Sequence, residues 1–579
     1  MEFIRKKMVN WYDPKQLAFT AVKTVISGIF GNFADRREMQ AALDPSIGAY
    51  DFSDKPEIWI DFISDLGDGF DATYTMAHLM AQDSLEVDGQ RIHRGNVLVM
   101  GGDQVYPTPE TEEYDNRLRG PYNAAFPWIE GNEDRPSLFA LPGNHDWYDG
   151  LTNFLRLFCQ GRSLGNWHSK QKRSYFAIKL PHNYWLLGID IQLNADIDYP
   201  QLCYFKEIAQ KEIAAQDKIL LCVAEPSWVY QSFDKKNNSH DRLKFFIDRI
   251  LLGKEDDYYS QKNREIQISA VLTGDLHHYS RYVEIAQGKI ECQLITAGGG
   301  GAFMHPTHTL KKMIAPGKGY NANLKAVFPP SSASMRLSLN NVIFPWYSLT
   351  MILFFGVYHL FTAWILQVRS IGNNHFMQTL GEFSIAEGQW WTIVAFIFKS
   401  SITNPTVLGL HVLLFAGLVL FTDTSSGRGK WNYFAGAIHG LLQLCNFYLL
   451  VWLFSRLNFH YMDLEETWEH PLLFIAEMVI GGGVASTIIF GIYLLISVSL
   501  LDNHLTEASS SYRWEGYKNF LRIHLNQDGL TIYPIGVKKV VKNWSNVGSK
   551  ENPRFEGEAV AYALIEKPIK ILNKHKPIK

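Results

Sequence analysis

From residue 51 to about 330, short apolar runs alternate with turns and helical stretches. EIWIDFIS, NVLVMGG, SLFALPG, SYFAIKL with YWLLGIDI, KILLCVAE, ISAVLTG and ECQLITAGG are rich in β-branched and aromatic residues and are bounded by Gly, Pro or Asp. They are expected to be the buried strands of a large α/β domain. Beyond 340 the apolar runs lengthen. Stretches 341–366, 407–421, 434–454 and 472–501 approach or exceed the ~20 apolar residues that cross a bilayer, giving four expected spans. WWTIVAFIF (390–398) is too short to cross alone and ends at Lys399, so it reads as an interfacial helix or half of a broken span; a fifth span would invert the tail. After 502 the pattern turns polar again. The Asp528-Gly529 turn in FLRIHLNQDGLTIYPIGV signals a hairpin, expected as a small C-terminal β unit docked on the α/β domain.

Ahead of all this, LAFTAVKTVISGIFG (17–31) spaces Leu17, Val22, Val25, Ile26 and Ile29 as an amphipathic helix. It either packs on its own domain or lies on a membrane surface. The expected organisation is a helical segment 1–50, a catalytic domain 51–335, membrane helices 341–501 and a tail 502–579.

Composition adds two constraints. The net charge of −3 over 579 residues with 47% hydrophobic residues points away from nucleic-acid binding and from a disordered tail. Cys159, Cys203, Cys222, Cys292 and Cys445 occur singly, which argues against a disulfide framework and for a reducing compartment. No signal-peptide order opens the chain. Loop 422–433 carries Arg428 and Lys430, whereas 455–470 sets Asp463, Glu465, Glu466 and Glu469 against Arg456. The positive-inside rule then places the N-terminal domain and the C-terminus in the cytoplasm. His411, His439 and Glu477 within the spans are functional candidates by default, but they are isolated and show no repeat. Gly481, Gly482 and Gly483 read as a close helix contact. Lys538, Lys539 and Lys542 either touch anionic headgroups or form a solvated face.

Chemistry concentrates in four segments: SDLGDG (64–69), GGDQVYP (101–107), LPGNHDWYDG (141–150) and LTGDLHHYSRY (272–282). Each follows an apolar strand and offers oxygen or imidazole donors at a sharp turn. Over residues 55–305 their order resembles the calcineurin-like metallophosphoesterase superfamily: Asp-x-His, Gly-Asp, Gly-Asn-His-Asp/Glu, a lone His, then Gly-His-x-His. The resemblance implies an αββα sandwich and a centre of two divalent ions ~3.5–4 Å apart, clamping a phosphate ester and lowering the pKa of a bridging water. By that resemblance Asp103 bridges the ions, Asp65 and His277 ligate the first and Asn144 the second. His145 protonates the leaving alkoxide or binds a phosphoryl oxygen, and Asp146 orients His145.

Three imidazoles of that pattern are missing. Position 67 is Gly67, with Asp68 one place later; the lone His becomes Glu225 in CVAEPSW; the first His of Gly-His-x-His becomes Asp275. Either the site is retuned toward harder ions, Mn²⁺ or Mg²⁺ ahead of Fe or Zn, or it has decayed. Asp68, Glu225 and Asp275 can all still ligate. His278 either contacts phosphate or points into the fold. Arg281 either neutralises substrate charge or makes a structural salt bridge. His305 and His308, in GGGGAFMHPTH beside the presumed cleft, read as loop residues. Tyr106, Asn116, Arg117 and Trp147 line the expected pocket, with ordinary packing equally open for Trp147.

The expected function is a membrane-anchored, metal-dependent phosphoesterase acting through metal-bound hydroxide. Its expected partners are a phosphorylated small molecule or lipid-like substrate and the bilayer, not nucleic acid. The alternative is a membrane sensor or scaffold that binds a phosphorylated ligand without cleaving it. A transporter regulated by the soluble domain is a third reading, disfavoured by the sparse intramembrane charge.

Overall fold

The computed structural model describes every residue except 1, 31–34, 44–47, 130, 132–134, 192–196, 235–236, 254–265, 287–288, 318–319, 369, 372–373, 424–428, 463, 465–468 and 574–579. Arg428, Asp463, Glu465 and Glu466 lie outside the described residues. The chain divides into two compact units. One comprises Met1–Asn10, Ala18–Ser334 and Arg513–Lys579; the other, Trp11–Leu17 and Met335–Tyr512.

The first unit is built on two nine-stranded sheets. Alternation along each central strand explains how they layer. In Ile58–Ile63, Ile58, Ile60 and Phe62 join a core shared with Ile178, Leu186, Leu220 and Leu272 of the other sheet. Trp59 and Ile63 point the opposite way, into a second core with Met76, Leu79 and Phe154 of the covering helices. Lys218–Val223 does the same: Leu220 and Cys222 face the inter-sheet core, while Ile219, Leu221 and Val223 meet Phe205, Trp228 and Phe246 on the outside. Period-two side chains thus bury both faces of each sheet, giving helix, sheet, sheet, helix in layers.

Ile58–Ile63, Val97–Met100 and Ser137–Ala140 run parallel, as do Lys218–Val223 and Gln267–Thr273. Their carboxyl ends are where this kind of sheet carries its chemistry.

The tail differs from the separate unit expected from sequence. The hairpin forms, with Asn526 facing Gly529, but Lys518–Asn526 pairs antiparallel with Ile58–Ile63 and so joins the sheet of the first unit. The registration places Arg522 opposite Asp61. Both are buried, and the guanidinium meets the carboxylate in two bonds, Nε to Oδ1 at 2.8 Å and Nη2 to Oδ2 at 2.9 Å. A facing apolar strand pair alone would leave the register free to slip by two. Breaking this ion pair would strand a buried charge.

Among the described residues of the second unit, three helical stretches are long and apolar enough to cross a membrane: Leu349–Gln367, Gly429–Tyr461 and His470–Leu500. The expected span 407–421 is not one by itself. Pro405–Leu420 is joined to Trp390–Ile402 through a 98° bend, so the two form one broken span or a re-entrant loop. Asn404 caps the second helix, accepting from the Val407 N–H at 3.3 Å, and Pro405 occupies its first turn, which is why the first helix cannot run on. The three ionisable residues singled out in these helices each have a partner: His411 lies between Tyr358 and Tyr448 at 2.6 and 2.5 Å, the Gln443 amide donates to His439 at 3.1 Å, and that of Asn458 donates to Glu477 at 2.7 Å.

Candidate metal centre

Asp65, Asp103 and Asp275 each follow a strand by two or three residues, and all three adopt positive φ, 60°, 48° and 65°. A non-glycine residue in the left-handed region costs free energy, and such positions concentrate where a side chain must be aimed. The aim here is common. The Asp275 backbone N–H donates to both oxygens of Asp65, at 3.1 and 2.9 Å, and the His145 N–H donates to Asp103 Oδ1 at 2.9 Å.

The centre of the group is a residue assigned by sequence only to pocket lining. The Tyr106 hydroxyl lies 3.1 Å from Asp65 Oδ1, 3.0 Å from Asp103 Oδ2 and 3.0 Å from His277 Nε2. His277 Nδ1 contacts the Phe303 carbonyl at 2.8 Å, so Nδ1 carries the proton and Nε2 turns its lone pair inward. The His277 ring stacks on His305, centroids 4.1 Å apart and 4° from parallel, and its backbone N–H donates to His305 Nδ1 at 3.2 Å. His305 therefore holds His277 in place.

Gly67 explains how Tyr106 gets there. Loops 65–67 and 102–106 zip together: the Gly67 N–H donates to the Gln104 carbonyl at 3.0 Å, and the Tyr106 N–H to the Gly67 carbonyl at 2.8 Å. A Cβ on residue 67 would stand 2.8 Å from the Gln104 carbonyl oxygen, closer than any side chain tolerates. A side chain at 67 is thus sterically excluded while the loops stay paired, and that pairing carries Tyr106 toward Asp65, Asp103 and His277.

Asn144, first residue of the short helix Asn144–Trp147, directs its amide nitrogen to the Tyr148 hydroxyl at 3.4 Å. Its Oδ1 is buried with no hydrogen-bond partner among the described residues, an arrangement that costs free energy unless a cation or donor fills it. Asp275 accepts from the Tyr230 hydroxyl, and Glu225, half-buried, senses Asp275 across the same space.

The electrostatics of the group are one-sided. Burial and neighbouring carboxylates raise Asp65 well above its ordinary value; burial lifts Asp103 to about 7; burial, then Asp103, lifts Asp275 to about 6; burial, then Asp275, lifts Glu225 to about 7. Burial also lowers His145 to about 4 and holds His277 well below its ordinary value, so both imidazoles are neutral near pH 7. Four crowded acids and a neutral imidazole around a phenol make a cavity that a cation would relieve. Among the described residues no three His, Cys, Asp or Glu side chains form a metal-holding group by themselves; the converging donor set is mixed and includes Tyr106 and the Asn144 amide oxygen.

Four sequence assignments land elsewhere. Asp68 Oδ1 accepts from the Val9 N–H at 2.7 Å and lies 4.0 Å from Arg117, which anchors the N-terminal segment, while its Oδ2 is buried with no hydrogen-bond partner among the described residues. Asp146 does not orient His145. It accepts from the Gly143 and Gln104 N–H groups, at 2.8 and 3.2 Å, and from the Tyr114 hydroxyl at 2.6 Å, tying the two ligand loops together. His145 is oriented by the Pro107 carbonyl, 2.8 Å from Nδ1. Arg281 is committed to Glu566, Nε to Oε1 at 2.8 Å and Nη2 to Oε2 at 2.5 Å, the structural salt bridge that was one of its two readings. His278 is buried beneath the loop. Asn116 and Arg117 likewise hold the N-terminal segment, through the Ile4 N–H at 2.7 Å and the Lys7 carbonyl at 2.9 Å. Trp147 donates to Asp190 at 3.3 Å under Arg37, an ordinary packing role.

Lys518 was missed altogether. It comes from the tail strand, is fully buried, donates to the Ala302 carbonyl, and is lowered to about 8 by burial against the pull of Asp68, Glu515 and Asp65. No local pattern marks it, because Ala302, Asp68 and Asp65 lie more than 200 positions earlier.

No protein-family model matches the chain, and no curated protein matches it. Among solved structures it is similar to GAP50, described as the anchor in the inner membrane complex of Plasmodium, with 13% identity and a TM-score of 0.31 over 47% of this chain and 84% of that one. It is similar to PhoD at 13% identity and a TM-score of 0.27, over 45% of this chain and 60% of that one. It is also similar to purple acid phosphatase PPD1 from yellow lupin seeds at 12% identity and a TM-score of 0.25, over 47% of this chain and 48% of that one. The chain thus spans about half to six-tenths of the length of the last two.

Proposed function

We propose that this chain is a membrane-anchored, metal-dependent phosphoesterase. The observation that carries the reading is the Tyr106 hydroxyl at hydrogen-bond distance from Asp65, Asp103 and His277 at once, beside an orphaned Asn144 amide oxygen. Asp65, Asp103, Tyr106 and His277 would hold one cation, and Asp103, Asn144, Asp275 and Glu225 a second. Carboxylates, a phenol and an amide favour hard ions. When bound, such ions supply charge stabilisation for a phosphoryl group and lower the pKa of a coordinated water.

The chain's own residues do the rest. Burial keeps His145 neutral near pH 7 with its proton on Nδ1 toward the Pro107 carbonyl, so Nε2 would first have to take up a proton, with the carbonyl stabilising the imidazolium, before passing it to a departing alkoxide. Asp146 fixes the distance between the Asp103 and Asn144 loops. The Gly298–Gly301 run lets its backbone lie against Asp65 and Leu66, where a Cβ at any of the four positions would collide. Gly67 removes one expected ligand, which speaks for a non-catalytic binder, but Tyr106 would supply a donor to the same group.

The anchoring follows from parity. Lys518–Asn526 pairs with Ile58–Ile63 in one sheet, and the membrane-length helices lie between them in the chain. Both segments belong on one side of the bilayer, which requires an even number of crossings. Three long helices make an odd number, so the bent pair Trp390–Ile402 and Pro405–Leu420 is read as the fourth, broken crossing. The cytoplasmic side is our choice from the basic loop 422–433.

The test is metal content and Mn²⁺-supported turnover of an aryl phosphate by the full-length protein, compared with Asp103→Asn and His145→Ala. Turnover lost in both supports the reading; turnover indifferent to Asp103→Asn overturns it.

A further inference from the structure

The helix Pro14–Phe30 is oriented the wrong way round for a helix on a soluble domain. Thr20, Lys23, Thr24 and Ser27 share one side of it, and Ser27 is buried. Lys23 Nζ reaches Glu110 at 3.5 Å, and Thr24 hydrogen-bonds the Tyr148 hydroxyl. The opposite side carries Phe19, Val22, Val25 and Ile26, with Leu17 at its edge, and these five are 43–60% exposed. A helix that turns polar residues to its domain and apolar ones outward leaves the larger hydrophobic term unrealised unless an apolar medium meets it.

Two observations identify that medium and connect it to the centre. The helix begins within the unit that holds the membrane-length helices: its first residues, through Leu17, are part of that unit, and Thr350 of the span Leu349–Gln367 donates to the Tyr12 carbonyl at 2.9 Å. Further along, Thr24 and Asn144 share the Tyr148 hydroxyl. Glu110, the partner of Lys23, is three residues past Pro107, whose carbonyl orients His145. The helix therefore sits on the loops that form the rim of the centre.

We infer that Pro14–Phe30 lies in the bilayer surface as an in-plane helix, and that the substrate is a phosphate ester carried by a membrane lipid. The substrate assignment rests on the phosphoesterase reading; the in-plane helix does not. Full-length protein, with Cys203 and Cys445 replaced by serine, is labelled with a nitroxide at Val22→Cys or Val25→Cys. It is reconstituted in phosphatidylcholine vesicles containing phosphatidic acid or phosphatidylglycerol, a monoester and a diester. Labels at both positions are expected to collide with oxygen in preference to a water-soluble nickel chelate, the reverse of a label at exposed Glu86→Cys. Nickel-favoured collisions at 22 and 25 overturn the in-plane helix.

Turnover supplies the second arm. Val22→Asp with Val25→Asp removes two partly exposed apolar side chains from lipid contact, so release from the vesicle lipid is expected to fall on the order of 10-fold or more. Turnover of soluble aryl mono- and diesters is expected to change less than twofold. Equal loss on both substrate types, or none on either, overturns the lipid assignment. Wild-type protein that cleaves neither type removes the parent reading while leaving the nitroxide result to stand by itself.

Discussion

Tyr106 is tied to Gly67 by the pairing of their two loops. Its backbone N–H donates to the Gly67 carbonyl at 2.8 Å, and its hydroxyl gathers Asp65, Asp103 and His277 at 3.0–3.1 Å. A Cβ at 67 would part the two loops that bring this hydroxyl to the three side chains.

Tyr106→Phe keeps the buried ring and deletes the shared hydroxyl. It is expected to fold normally, lower metal affinity roughly 10–100-fold and lower turnover at least as much. Metal titration of the purified variant checks this; unchanged affinity and turnover would remove Tyr106 from the centre.

Gly67→His restores the residue of the resembling family's pattern and is expected to do harm. With its Cβ 2.8 Å from the Gln104 carbonyl, the paired loops must part, at a cost of about 1–3 kcal/mol, and Tyr106 is displaced. Thermal unfolding and aryl phosphate turnover should both fall. A gain in activity would contradict the steric account.

Asp146→Asn separates the two roles proposed for that residue. It accepts hydrogen bonds that join the Asp103 and Asn144 loops, while His145 Nδ1 meets the Pro107 carbonyl. The variant is expected to lose stability and kcat together while the pH profile of the remaining activity keeps its shape. A shifted profile would return Asp146 to the role of orienting His145.

Arg281→Gln is expected to leave the KM for a phosphate ester unchanged and to destabilise the protein by roughly 2 kcal/mol, since its partners are Glu566 and Gln293. A raised KM at constant stability would place it near substrate instead.

The acids of the centre set a pH dependence whose sign is fixed by their direction. Asp103, Asp275 and Glu225 rise to about 7, 6 and 7 from ordinary values near 4, so the folded metal-free protein holds these protons more tightly than the unfolded chain. Their contribution to stability is complete at acid pH and is lost as pH climbs through that range. A bound cation reverses this by favouring the ionised forms. Mn²⁺ is therefore expected to raise the unfolding temperature strongly at pH 8 and weakly at pH 5; an equal rise at both would show that these carboxylates do not meet the ion.

Much of this protein was legible in the chain itself, because the signals are local. Strand alternation in EIWIDFIS and KILLCVAE set the buried layers, the long apolar runs set the membrane unit, and turns after strands marked Asp65, Asp103, Asn144, Asp275 and His277. The Asp528-Gly529 turn announced the hairpin. Partnership was not legible, since it depends on which strand lies beside which. Only the tertiary fold inserted Lys518–Asn526 next to Ile58–Ile63, paired Arg522 with Asp61 and Arg281 with Glu566, buried Lys518 near Asp65, and turned Tyr106 from a wall of the pocket into its hub. Periodicity is written into neighbours along the chain, whereas a ligand set or an ion pair is a distance between residues that the sequence keeps hundreds of positions apart.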